Sequence, residues 1–142
     1  MKLSAWAVFV LGLLLAAPSL AVAQQDPPTE PVRLKRNYPN PFNPETTIPF
    51  ELEESVFANG REPTVSLRIY NVLAQLVAIP ILQGSGEPLD NVRLAWNGTG
   101  EFSAYWDGKI IGTDVEAPSG VYVYQLLVDG QKPQSMRMTI IK

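Results

Sequence analysis

Cysteine and histidine are both missing from the 142 residues. The first absence rules out disulfides and thiol nucleophiles. The second removes the commonest zinc ligand and the base of any Ser-His or Cys-His pair. No glycine-rich loop opens onto a helical stretch, so a phosphate cradle is not supported. Charge is sparse at 18% of residues, with 11 basic side chains against 14 acidic ones and a net charge of −3. That balance argues against a nucleic-acid partner, which selects a basic face.

The carboxylates form no catalytic pattern. Glu53 and Glu54 are adjacent, so in a strand they point to opposite faces and cannot act as a glycosidase pair. Asp107 and Asp114 flank a loop that could hold calcium, but Asp107-Gly108 is ordinary turn chemistry. The residues therefore suggest no catalytic, cofactor-binding or metal-ligating set, and no enzymatic activity is expected.

A long apolar run occurs at the N-terminus, at residues 5–17 after Lys2. Pro18 and Ser19 break it, and Ala21-Val22-Ala23 places small residues where a signal peptidase reads. Residues 1–23 are expected to be a signal peptide cleaved between Ala23 and Gln24. With Lys2 removed, the net charge of −3 becomes −4. The run is short for a span of about 20 residues, and no cysteine sits at the cleavage point to take a lipid. No membrane span is expected after cleavage, and the chain is expected to be exported.

Residues 24–36, opened by a proline-rich polar stretch, read as a linker. Asn37-Tyr38-Pro39-Asn40-Pro41-Phe42-Asn43-Pro44 follows. Each proline fixes its own φ and pushes the preceding residue out of the helical region, so this segment is an extended strap. Its two large rings, Tyr38 and Phe42, are expected to plug into the domain.

Beyond the strap the pattern alternates with the period of strands. Thr46–Leu52 puts Ile48, Phe50 and Leu52 on one face, and Pro49 marks it as an edge strand. Thr64–Tyr70 alternates cleanly, and 75–82 is a third strand interrupted by Pro80. Segments 92–96 and 102–106 flank Asn97-Gly98-Thr99-Gly100, which reads as a hairpin tip. Residues 121–128 are apolar on nearly both faces, as in a central strand. Asp129-Gly130 then turns the chain into 136–141. Seven short strands and no amphipathic helix predict an all-β, seven-stranded immunoglobulin-like sandwich over residues 37–142. Tyr122, near a strand start, suits a tyrosine corner. Trp96, Tyr105, Trp106, Tyr122 and Tyr124 allow either a sugar-binding face or core packing, and the alternation favours the core.

Residues 37–48, from Asn37 through Pro44 to Ile48, resemble the opening of the C-terminal sorting domains of the type IX secretion system. They are also similar to the related Ig-like domain of the flagellar hook-capping protein. Residues 65–73 resemble the family's second strand and turn, with Ala74 standing where the family has glycine. Trp106-Asp107-Gly108, followed by Gly120 and Tyr122, resembles its late motif. The terminal strand, with Arg137 and a closing Lys142, resembles its end.

The resemblance implies a domain that outer-membrane export machinery recognises as an address and that a sortase-like protease then removes. The implied location is the periplasm in transit, then the medium or the surface of a bacterium with an outer membrane. The implied partners are secretion machinery or other extracytoplasmic proteins. An uncleaved assembly module of the hook-capping type is the alternative, and a carbohydrate-binding sandwich is a third reading.

Overall fold

The computed structural model describes residues 30–142, together with Ala16 and Pro18. The rest of the signal segment, the cleavage residues Ala21, Ala23 and Gln24, and linker residues 24–29 lie outside the described residues. In chain order the strands are β1 (Val32–Leu34), β2 (Thr46–Leu52), β3 (Thr64–Tyr70), β4 (Leu76–Ala78), β5 (Ile81–Leu82), β6 (Val92–Arg93), β7 (Glu101–Trp106), β8 (Gly120–Val128) and β9 (Gln134–Ile140). A short 3-10 segment, Glu54–Gly60, links β2 to β3. Among the described residues no helix is long and apolar enough to cross a membrane.

The protein is an all-β, two-sheet sandwich. The first sheet has the order β1-β2-β7-β5, and the second β4-β3-β8-β9 with β6 also on β3. Every strand pair is antiparallel. Alternation sorts side chains as the sequence predicts. Ile48, Phe50 and Leu52 of β2 meet Val65, Leu67 and Ile69 of β3 and Tyr124, Leu126 and Val128 of β8 in one core. β8 lies between β3 and β9, which makes it the central strand its composition predicts.

Four expectations are revised. The linker is shorter than predicted, because Val32–Leu34 pairs with Leu52, Glu51 and Phe50 and belongs to the first sheet. The 75–82 stretch is two strands in two sheets, with β4 on β3 and β5 on β7. Pro80 sits at that crossing, and its carbonyl accepts the Leu89 N–H at 2.9 Å. These two changes raise the count from seven strands to nine. The third revision concerns 92–96 and 102–106, which do not form a hairpin: β6 pairs with β3 while β7 pairs with β2. The Asn97 turn is instead a crossover between sheets, with Asn97 Oδ1 accepting the N–H groups of Thr99 and Gly100 at 3.0 and 2.8 Å.

The fourth revision is Pro49. It lies on an interior strand, with β1 on one side of β2 and β7 on the other. β1 ends at Leu34, one residue before the position opposite Pro49. There the Lys35 N–H donates to the Pro49 carbonyl at 3.0 Å. The reciprocal bond would need the N–H that proline lacks. The Lys35 carbonyl takes the Tyr124 hydroxyl instead, at 2.8 Å.

The chain enters β7 through Gly100, whose φ is 76°. A Cβ there would lie 2.2 Å from the Leu52 carbonyl oxygen, whose own N–H donates to Gly100 O at 2.9 Å. Gly100→Ala therefore combines a left-handed backbone with a backbone clash, and it should cost about 2–4 kcal/mol. Urea unfolding measures this, and an unchanged midpoint would show that the crossover is not tied to β2.

Candidate functional site

The strap runs from the first sheet to the second and holds them together. Tyr38 pairs with Thr47 of β2, each N–H donating to the other's carbonyl at 2.9 Å. Four residues later the Phe42 N–H donates to Thr139 O at 3.0 Å and the Ile141 N–H donates to Phe42 O at 3.2 Å, a parallel bridge to β9. Asn40 Oδ1 accepts the Thr139 N–H at 3.1 Å.

Only one of the two predicted plugs goes in. Phe42 is buried, whereas Tyr38 is 58% exposed. The ladder explains this. Residues directly opposite in an antiparallel pair share a face, and Thr47 points outward because Thr46 and Ile48 point in. Asn37 takes the inner place instead. Its backbone N–H donates to the Tyr124 hydroxyl at 3.0 Å, and its Nδ2 donates to Thr46 Oγ1 at 3.1 Å and to Pro39 O at 3.3 Å. Thr46 Oγ1 donates to Pro39 O at 3.1 Å. Asn37 Oδ1 is buried with no partner among the described residues.

The late-motif residues converge on the strap. The Phe42 ring meets the Trp106 indole edge-on at 5.6 Å, and Trp106 meets Tyr122 at 5.8 Å. Trp106 Nε1 donates to Lys109 O at 3.0 Å, and Asp107 Oδ1 accepts the Lys109 N–H at 2.9 Å, so Asp107 is a turn residue. Gly108 has φ 82°, and a Cβ there would come within 2.1 Å of the Pro44 carbonyl oxygen. Only glycine lets the strap lie this close to the β7 turn. The Tyr122 hydroxyl donates to Pro118 O at 2.7 Å, which is the tyrosine-corner bond. Gly120 opens β8 opposite Ile140.

Other predicted residues lie apart from this cluster or on its surface. Pro41, Asn43 and Pro44 are exposed along the strap. Arg137 faces outward beside Val123. Lys142 pairs with Glu116 at 3.0 Å, and its N–H donates to Ser119 Oγ. Tyr124, Thr46 and Gln134 were not predicted to act on the strap region. Gln134 Oε1 accepts the Leu34 N–H at 2.8 Å, and its Nε2 donates to Val32 O, so one side-chain amide docks on β1. The inward phase of Tyr124 was readable from alternation, but its partner was not. No sequence signal marks Gln134.

Of the aromatic set, Trp106, Tyr122 and Tyr124 are buried, Trp96 packs on Phe57 at 5.3 Å, and the Tyr105 hydroxyl donates to Glu45. Among the described residues no group of three or more His, Cys, Asp or Glu side chains could hold a metal ion. A cleft of about 500 Å³ contains none of the motif residues, and its Arg61 and Asp129 pair with each other at 2.8 Å. Compared with protein-family models, curated proteins and solved structures, the chain has no match.

On the outer face of the first sheet Glu51 pairs with both Arg33 and Lys35. Hydrogen bonds from Lys35 and then Arg33 hold the Glu51 carboxyl below the usual carboxylate range. The hydrogen bond to the Glu45 carboxylate pushes the Tyr105 hydroxyl up to about 12. Burial raises Tyr122, and burial also raises Tyr124 against a lowering contribution from the Asn37 N–H. The arrangement braces the strap against both sheets.

Two predictions follow from this geometry. Tyr124→Phe strips partners from the Lys35 carbonyl and the Asn37 N–H and should cost about 1–3 kcal/mol. Phe42→Ala should cost about 3–5 kcal/mol, while Tyr38→Ala should stay within about 0.5 kcal/mol. Thermal and urea unfolding rank the three, and an equal cost at Tyr38 and Phe42 would contradict the strap's facing.

The second concerns pH. Tyr105, Tyr122 and Tyr124 each hold their protons more tightly folded than unfolded. Their contribution is complete below the ordinary tyrosine value of 10.0 and is lost as pH rises through the folded values, about 12 for Tyr105. The urea midpoint should therefore decline above about pH 10, and Tyr105→Phe should soften that decline. An identical alkaline profile in Tyr105→Phe would show that the Glu45 contact does not persist in solution.

Proposed function

We propose that this chain is a non-enzymatic, exported Ig-like domain that serves as an address for outer-membrane export machinery of the type IX kind. One observation carries the reading. The strap at 37–44 and the late motif at 106–108 and 120–122, far apart in sequence, meet in one cluster around Phe42. Residues that define the resemblance thus act as one structural unit, with the strap's exposed prolines on its surface. Such a unit suits recognition of a folded shape. A rigid sandwich stiffened at its edge offers a receptor a fixed surface at low ordering cost.

The decisive experiment fuses residues 30–142 behind a signal-bearing fluorescent reporter in a bacterium with working type IX machinery. The reporter is expected outside the cell, with its tail removed as judged by intact mass. Gly108→Ala, which pushes the strap off the β7 turn, should leave the reporter in the periplasm. Retention of the unaltered fusion with an intact tail would overturn the reading and favour an uncleaved assembly module.

A further inference from the structure

The β3–β4 connection breaks the usual rules for a turn. Asn71 braces it: Oδ1 accepts the N–H groups of Leu73 and Gln75, both at 3.0 Å, and Nδ2 donates to Gln75 Oε1 at 2.8 Å. Backbone bonds from Asn71 N to Gln75 O and from Ala74 N to Asn71 O close it at 3.1 and 3.0 Å. This rigid turn presents two adjacent aliphatic side chains, Val72 at 74% exposure and Leu73 at 75%. Turn tips ordinarily carry Gly, Asn, Asp, Pro or Ser. Ala74 sits at φ 59°, where alanine is disfavoured by roughly 1–2 kcal/mol and glycine is not. Val72, Leu73 and Ala74 all lie exposed, outside the core of the domain.

The turn borders an apolar face. Register places Leu76, Tyr70, Val123 and Arg137 in one row across the outer side of the second sheet. Val121, 43% exposed, lies two residues along β8 from Val123 and so on the same face. Arg68 lies opposite Gln125 on the same face. Its only ion-pair partner among the described residues is Asp90, and Arg137 has none there. A protein of net charge −3 thus shows a patch with an aliphatic centre and, at its border, one cation, Arg137, without an ion-pair partner among the described residues.

We propose that the Val72–Leu73 tip and the adjoining outer face of the second sheet form a docking surface for a protein partner with an apolar, carboxylate-rimmed contact region. Aliphatic side chains fixed on a braced turn are suited to anchor an interface, since little order is lost when they bind. Arg137 selects a carboxylate at the partner's rim, since it has no carboxylate of its own among the described residues. The surface belongs to the folded domain and does not depend on the export reading.

A random 12-residue peptide library displayed on phage tests this against immobilised protein comprising residues 24–142. Enriched peptides should combine large apolar residues with Asp or Glu, and Leu73→Ser should weaken them at least tenfold without changing the thermal midpoint. Arg137→Glu should weaken the same peptides, and replacing their acids with lysine should restore binding to that variant. The proposal is overturned if nothing enriches, or if the enriched peptides bind both variants as they bind the parent protein. It also fails if sedimentation velocity shows self-association lost in Leu73→Ser, or if phosphatidylglycerol vesicles bind the parent and not the variants.

Discussion

Pro49 withholds one backbone donor from an interior strand, and a single phenol makes good the loss. The Tyr124 hydroxyl, fully buried, donates to the carbonyl that Pro49 leaves unpaired and accepts the N–H of Asn37. It thereby joins β8 of the second sheet to the end of β1 and the start of the strap in the first. A buried hydroxyl with both roles filled has its desolvation cost offset by its own hydrogen bonds, and the groups it serves would otherwise be buried polar orphans. The course of the chain from Lys35 to Thr46 follows from that bond. Asn37 is drawn inward, Tyr38 is turned outward by the ladder with Thr47, and Phe42 reaches the Trp106 pocket.

With no disulfide available, the sandwich is closed by chain crossings instead. On one side the strap bridges β2 and β9. On the other, the Pro80 corner carries the chain from β4 to β5, and the Leu67 N–H donates to Leu89 O at 2.9 Å between β4 and β6. On that edge the middle of β3, between β4 and β6, is thus capped by a loop. Two glycines set the spacing. Gly100 lets the crossover touch β2, and Gly108 lets the β7 turn touch Pro44. Closure by backbone contact demands residues without a Cβ at the crossing points, so the late Trp106-Asp107-Gly108 turn and the early strap form one constraint.

Strand periodicity made most of the core legible in the sequence. β2 alternates over seven residues, long enough for its inward face of Ile48, Phe50 and Leu52 to be assigned correctly. β1 escaped notice because three residues between a proline-rich stretch and a proline-rich strap carry no readable period. The Asn97 turn was misread as a hairpin tip because turn chemistry fixes the local backbone and not the sheet to which each flank belongs. Pro49 was placed at an edge for a sound reason, the missing donor. The exception arose from a side chain 75 positions away, which no local rule detects. For the candidate site, the strap and the late motif were visible as motifs, and Phe42 was placed correctly. The inward turn of Asn37 and the role of Gln134 depend on long-range register and left no mark on composition or spacing.

Gln134 has a consequence for how copies of this protein coexist. β1 is the outermost strand of its sheet, and an open strand edge is a template on which another chain can add. The Gln134 amide occupies the Leu34 N–H and the Val32 carbonyl, the groups such an addition would need first. The strap and the Ile141 N–H engage the neighbouring end of β9 in the same way. An amide side chain therefore acts as a one-residue mock strand, and at Val32 and Leu34 this edge offers a neighbouring molecule no free backbone pair on which to add.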